Sequence, residues 1–255
     1  SLHDALPICT NRTSDGGGEA APGWRRDEPA GSGRVKILAI SDHVDERIYS
    51  PAVVDRFGDV DLVLSCGDLP LYYLEYVVTL LRVPLLYVNG NHTPVIETSY
   101  SGEEKREPGG CESVDERVLM VNGLAIGGLE GSLRYTPQGR YQYTEWQMRR
   151  KMWRMAPHLW LNRLRNGRYL DVLITHAPPF GIHDADDLCH TGFRAFLSFM
   201  NHYRPRYLIH GHIHLYNPSD TRVTRYGATM VLNAYGFQVL EIDPYNPRMN
   251  LATGK

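Results

Sequence analysis

"VKILAISDHVDERIYSPAVVDRFGDVDLVLSCGDLPLYYLEYVVTLLRVPLLYVNGNH", residues 35–92, decides the fold. Three short apolar runs, VKILAI, VDLVLSC and VPLLYVN, each stop on a polar motif: Ser41-Asp42-His43, Gly67-Asp68 and Gly90-Asn91-His92. Runs this short and this continuously apolar read as strands buried on both faces. Two helix-compatible segments, RIYSPAVVDRF and LYYLEYVVTLL, lie between them. Strand–helix–strand–helix–strand is the signature of a parallel sheet with right-handed crossovers.

The same punctuation recurs downstream. LDVLIT ends on His176, and RYLI ends on His210-Gly211-His212-Ile213-His214. Asn122-Gly123 between two apolar runs is a hairpin signal, and ATMVLNAYGFQVLEID (228–243) reads as a second hairpin. The fold class is therefore α/β with a mixed sheet. In open sheets of this kind ligands bind just beyond the carboxyl ends of the strands. All five polar motifs occupy that place, so one shared site is expected.

Composition narrows the setting. The chain has 255 residues, 42% of them hydrophobic, enough for a substantial core, and a net charge of −2 that suggests no polyanionic partner. Cys9, Cys66, Cys111 and Cys189 form no CxxC pair, which argues against a disulfide scaffold or a cysteine zinc site. No apolar run reaches 18 residues and the first residues lack a secretory pattern. No membrane partner is expected, and a cytoplasmic location follows by default. Residues 1–33, rich in Gly, Pro, Ser and charge, read as a disordered tail or a cloning or gene-calling scar. Residues 34–245 form the domain and 246–255 a C-terminal tail.

Taken singly, each motif is weak, because an Asp after a strand is most often a cap or a turn. His212 and His214 are stronger: two apart on an extended segment, they point to the same side, although a polar edge strand would show the same spacing. Two Asp, one Asn and three His at successive strand ends are hard to explain by turns. Oxygen and imidazole donors without thiolates favour Mn, Fe or Zn.

The ordered set Asp42, Gly67-Asp68, Gly90-Asn91-His92, His176 and Gly211-His212-Ile213-His214 resembles the calcineurin-like metallophosphoesterases over residues 35–240. The resemblance implies two packed mixed β-sheets flanked by helices, a four-layer α/β/β/α sandwich. It also implies two divalent metal ions, manganese favoured. Asp68 would bridge them, Asn91, His176 and His212 would complete the second, and Asp42 and His214 would serve the first. Paired cations neutralise phosphoryl oxygens and activate a water, while His92 would protonate the leaving oxygen.

Two positions depart from that pattern. The family's Asp-x-His would place a histidine at position 44, which is Val44. His43 should face away from Asp42 unless the chain turns, so His43, Asp45 or water is left to substitute, and the first metal should be weaker. Where relatives carry an acid to orient the catalytic histidine, this chain has Leu71 and Thr93.

Around the site, His183, Asp184, Asp186, Asp187 and His190 read as a solvated loop before a helix near Thr191, with a second metal cluster as the alternative. Residues 94–116 form a long polar loop with a capping role in view. Thr144-x-x-Gln147 opens a helix expected to end near Pro157. Trp146, Trp153 and Trp160 fall on one side of it and Met148, Met152 and Met155 on another, an arrangement suited to a wedge between layers or to a homo-oligomer. Arg149, Arg150, Lys151 and Arg154 read as a solvated basic face. The expected activity is hydrolysis of a small phosphodiester or phosphomonoester. The alternatives are a non-catalytic scaffold of the same fold and a DNA exonuclease, for which the chain lacks a basic stripe.

Overall fold

The computed structural model describes residues 33–244 apart from residues 95, 99–101, 103 and 218, so the expected tails lie outside the described residues except for Gly33. The opening runs form parallel strands β1 (Val35–Ser41), β2 (Leu62–Ser65) and β3 (Leu85–Tyr87), joined through α1 (Val53–Phe57) and α2 (Leu71–Leu81). α1 is shorter than the pattern suggested because Pro51 disfavours helix at Ser50. α2 has no side-chain cap from Pro70; the Glu97 carboxylate accepts from the Leu71 and Tyr72 amides instead, at 2.7 and 3.1 Å.

Glu97 belongs to the 94–116 segment, which is partly ordered as β4 (Glu97–Thr98), β5 (Glu104–Lys105) and β6 (Glu112–Ser113). Lys105 and the Gly109 amide bind Glu75 of α2, so this segment is tied along that helix. β7 (Val118–Val121) and β8 (Leu124–Leu129) form the Asn122-Gly123 hairpin, with φ of 50° and 75° at the turn. β9 (Ser132–Leu133) and β10 (Gln142–Tyr143) make a two-stranded ladder ahead of α3 (Glu145–Asn166). The chain continues through β11 (Val172–Thr175), α4 (Arg194–Tyr203), β12 (Tyr207–His210), β13 (Val223–Tyr226), β14 (Thr229–Asn233) and β15 (Gly236–Ile242).

Two mixed sheets result, ordered β15-β1-β2-β3-β6 and β13-β14-β12-β11-β8-β7, with β15, β13 and β7 running antiparallel to their neighbours. One apolar cluster is shared by both sheets, with Ile37, Leu64 and Leu86 meeting Ile126, Ile174 and Ile209. A second packs the β7–β14 sheet against α3 and α4, and a third packs the other sheet against α1 and α2. No helix among the described residues is long and apolar enough to cross a membrane.

Three expectations need correction. The second hairpin does not form, because β14 and β15 belong to different sheets and Ala234-Tyr235 carries the chain between them. Strand patterning records which side chains are buried, not which sheet buries them. The second correction concerns α3, which does not stop at Pro157. It keeps its capping box and runs 22 residues to an αL Gly167. Pro157 lies on the solvent side, while Met148, Met152, Met155 and Leu159 stay buried on the far side and hold the helix past it.

Nor is Lys151 part of a solvated face. Only 5% exposed, its ammonium reaches Asp115 at 2.6 Å, Glu116 at 3.1 Å and Glu130 at 3.4 Å. Burial, and then the nearby Glu130, push the Asp115 carboxyl up to about 6 even with Lys151 beside it. Replacing Lys151 by Met should remove about 3–5 kcal/mol of unfolding free energy, by stranding buried carboxylates. Arg150→Ala, one residue earlier on the solvent side, should change it by less than about 0.5 kcal/mol. Urea unfolding of both variants checks the contrast.

Candidate metal centre

The strand ends meet through backbone conformations that side chains rarely adopt. At the end of β1 the His43 amide donates to the Ser41 carbonyl at 2.7 Å, closing a three-residue turn with Asp42 at φ 63°. Beyond β12 the Ile213 amide does the same to Gly211 at 2.7 Å, with His212 at φ 67°. Asp68 beyond β2 stands at φ 54°. Each costs roughly 1–2 kcal/mol for a residue with a Cβ, and such strain gathers at functional sites. These turns correct the extended-segment argument for His212 and His214. The turn buries His212 and leaves His214 half exposed at the rim.

The two turns bind one another: the His212 amide donates to Asp42 Oδ2 at 2.8 Å. Gly211 allows the approach, since a Cβ there would collide with Ser41 and Asp42, and Gly90 does the same beside Asp68 and His176. The Asp68 carboxylate accepts from the His92 amide at 2.8 Å and faces His176 Nε2 at 3.1 Å.

His176 is fully buried and ringed by acceptors. Its Nδ1 faces the Cys66 carbonyl at 2.8 Å, and its Nε2 faces Asn91 Oδ1 at 2.9 Å as well as Asp68. Tyr135 fixes the Asn91 amide by accepting from its Nδ2 at 3.0 Å, which turns the oxygen toward His176. Burial opposes charge on this imidazole, but the Asp68 and Asp42 carboxylates more than offset it and lift its pKa to about 9. Burial likewise pushes the Asp68 carboxyl up, yet His176 and the His92 amide bring it down to about 2. Burial raises Asp42. His212 is held neutral, its pKa lowered to about 3 by burial and then by His176.

Both buried imidazoles spend one ring nitrogen on a backbone carbonyl: Nδ1 of His176 on Cys66, and Nε2 of His212 on Cys189 at 2.6 Å. The other nitrogen of His176 faces Asp68 and Asn91, and ligand atoms of Asp68, His176 and His212 lie within 4.8 Å of one another. A ring nitrogen oriented in this way through its partner nitrogen is the arrangement metal-binding histidines use. Convergent acceptors with a proton as the only positive charge among them fit a divalent cation.

Other candidates fall on either side. Asp42 Oδ1 and His214 Nε2 are 3.9 Å apart. Asp45 is turned away, both its oxygens held by the Arg47 guanidinium at 2.8 and 2.6 Å. The His43 ring leans toward Tyr235, 6.2 Å between centroids, beside an open groove of about 510 Å³ that His43, Arg222 and Tyr235 help to line. The His92 side chain is exposed beside Asp68, and its ring has no hydrogen-bond partner among the described residues. Leu71 is buried in α2, and Thr93 hydrogen-bonds the Gly90 amide. The 183–190 loop divides: His183 bonds His210 and Thr224 at 2.9 and 2.8 Å, while Asp187, Cys189 and His190 form a partly exposed group whose His190 ring lies 5.3 Å from that of His212. Sequence reasoning missed Tyr135 and the two supporting carbonyls. None has a local signal, since Tyr135 stands 44 positions from the amide it orients.

A family model described as calcineurin-like phosphoesterase matches residues 35–216. Among solved structures, TT1561 of Thermus thermophilus is similar at 14% identity and a TM-score of 0.55, covering 83% of this chain and 100% of that one. Vacuolar Protein Sorting 29 from Cryptosporidium parvum follows at 13% identity and a TM-score of 0.42, with 83% and 86% covered. A comparison with curated proteins returned no match.

In chelator, the His176–Asp68 pair should shape stability against pH. The folded state holds the His176 proton up to about pH 9, against 6.5 for a free imidazole, so this contribution is complete below pH 6.5 and lost as pH rises toward 9. Asp68 is depressed from 3.8 to about 2, so its contribution is complete above pH 3.8 and lost as pH falls toward 2. Urea unfolding should show an alkaline decline on the order of 3 kcal/mol. His176→Gln should abolish that decline and also move the acid limb to higher pH, because Asp68 loses the partner that does most to lower its pKa.

Proposed function

The chain belongs to the calcineurin-like phosphoesterase family, and from that premise we propose that it is a metal-dependent phosphoesterase acting on a small phosphodiester or phosphomonoester. The observation that carries this is the crowd of acceptors around His176 Nε2, where a buried carboxylate and an amide oxygen converge with no positive charge but a proton. Asp68, Asn91, His176 and His212 would hold one divalent cation, and Asp42 and His214, with Asp68 shared, a second. Manganese, iron and zinc suit this donor set. Bound there, the cations would supply positive charge against the phosphoryl oxygens and the acidity that ionises water.

The chain's own groups do the rest. Asn91 and Asp68 occupy fixed positions because Tyr135 and the His92 amide hold their other ends. His92 stands at the exposed rim, directly after Asn91, where its imidazole would deliver a proton to the departing oxygen. The groove beside His43 and Tyr235 offers room for the substituent on the ester. The site would be asymmetric. The Asp68 side has two imidazoles oriented by carbonyls, whereas the Asp42 side has one exposed histidine and no contribution from Asp45.

A second reading, a binding protein of the same fold without turnover, draws on the His92 ring, which no acid among the described residues orients. Metal analysis together with turnover of bis-p-nitrophenyl phosphate and p-nitrophenyl phosphate separates the two. The manganese-loaded protein should hydrolyse at least one of these esters and stop when chelated; bound metal without turnover supports the binding protein. Asn91→Ala and His176→Ala should each lose metal and more than about 100-fold in rate, beyond what supporting residues usually cost. His92→Ala should keep its metal and lose about 100-fold or more, least with good leaving groups. If it loses metal instead, its assignment is wrong.

A further inference from the structure

The solvent side of α3 carries a ridge that the core does not use. Trp146 is 59% exposed, Trp153 65%, Trp160 48% and Leu164 80%. Trp146, Trp153 and Trp160 recur every seven residues, a spacing that drifts only about 20° per step around a helix, and Leu164 continues the line. The ridge is therefore nearly straight and about 27 Å long. Single exposed apolar side chains are ordinary, but contiguous ones mark an interaction surface.

The charges beside the ridge are mostly basic, and Glu116 there is taken up by Arg154 at 2.9 Å and Lys151 at 3.1 Å. Arg149, Arg150, Arg163 and Arg165 are exposed along α3, and no carboxylate pairs with them among the described residues. Glu145, the only acid in the helix, is committed elsewhere: its carboxylate accepts from the Arg194 and Ala195 amides and so caps α4. At the far end of α3 lies a groove of about 500 Å³, whose lining includes Arg163, Tyr169, His202 and Arg204. Trp160 packs edge-on against Tyr169 beside it, with ring centroids 5.0 Å apart.

We infer that this face of α3 docks the protein on an anionic lipid bilayer. Aromatic rings in a line with flanking arginines match the two layers of a membrane surface, where indoles settle at headgroup depth and guanidiniums meet lipid phosphates. The groove at the C-terminal end would take one headgroup. A second copy of the chain fits poorly, because joining two such faces would bring Arg149, Arg150, Arg163 and Arg165 together, while Glu116 beside them is already engaged by Arg154 and Lys151. Nucleic acid fits poorly too, because the centre of the surface is an apolar ridge rather than a basic channel. That no helix among the described residues is long and apolar enough to cross a membrane does not oppose surface binding. The inference stands apart from the candidate metal centre.

Flotation of the full chain with phosphatidylcholine vesicles, with and without phosphatidylglycerol, tests it. The protein should float with the anionic vesicles at low salt and release at high salt, and its tryptophan emission should be quenched by brominated acyl chains. Trp153→Ala/Trp160→Ala and Arg149→Glu/Arg150→Glu should each weaken binding at least about tenfold, with an unchanged circular dichroism spectrum. Equal flotation with both vesicle types, or double variants that bind like the parent, would overturn the inference. So would a dimer in light scattering that the tryptophan variant disperses, which assigns the face to a second copy. Tighter binding to duplex DNA than to vesicles would overturn it as well.

Discussion

One buried electrostatic fact organises the rim of this molecule: Asp42 and Asp68 are withdrawn from water with a single imidazole between them. A buried carboxylate is tolerable only when paired, and here the pairing is incomplete. His176 turns Nδ1 to the Cys66 carbonyl, and its Nε2 has one N–H to offer to both Asn91 Oδ1 and Asp68 Oδ2. At that ring edge two acceptors face one N–H, although the His92 amide serves the other Asp68 oxygen and the His212 amide serves Asp42. A divalent cation would relieve the deficit and displace the proton, so metal affinity in such a site is bound to pH.

The fold holds that deficit in place with strained backbone. Asp42, Asp68 and His212 sit at positive φ, and glycines beside them clear the space that their side chains fill. A Cβ at 90 or 211 would occupy the room that the carboxylates and the His176 ring need. The cost is met by the three apolar clusters, which fix the strand ends before the turns begin. Positive φ also occurs at turns and helix ends such as Arg82, Asn122 and Arg204, but its presence at three of the residues that converge on the rim is what a pre-organised site requires.

What the sequence made legible follows from this division. Buried strands write themselves as short apolar runs, so β1, β2, β3, β11 and β12 and the residues just past them could be read directly. Asn122-Gly123 announced its hairpin because only such residues suit that turn. Partnership across distance was not legible. The β14 pattern fitted a hairpin as well as a change of sheet, and Pro157 hid a helix whose buried face continues beyond it. Lys151 looked like its basic neighbours, though it lies under Asp115 and Glu130. His212 and His214 were brought to the rim by a turn, not by strand alternation, so the expected neighbourhood arose by a different route.

The Lys151 network links these scales. Glu130 accepts from Tyr143 at 2.6 Å and from the Asn89 side chain at 2.9 Å, and the Gly131 amide donates to the Asn89 carbonyl at 2.9 Å. Asn89 immediately precedes Gly90-Asn91-His92, so the segment that carries an amide oxygen to His176 is anchored from behind by a buried ion cluster. Such clusters seldom add net stability over an apolar core. They do specify position, because each member accepts only a narrow range of geometry. A hydrophobic substitute for Glu130 would fill its volume but would leave Asn89 free to shift, and a displacement of Asn91 by a fraction of an ångström would misplace the oxygen on which the site's geometry depends. The chain thus spends a costly buried charge where precision matters more than stability.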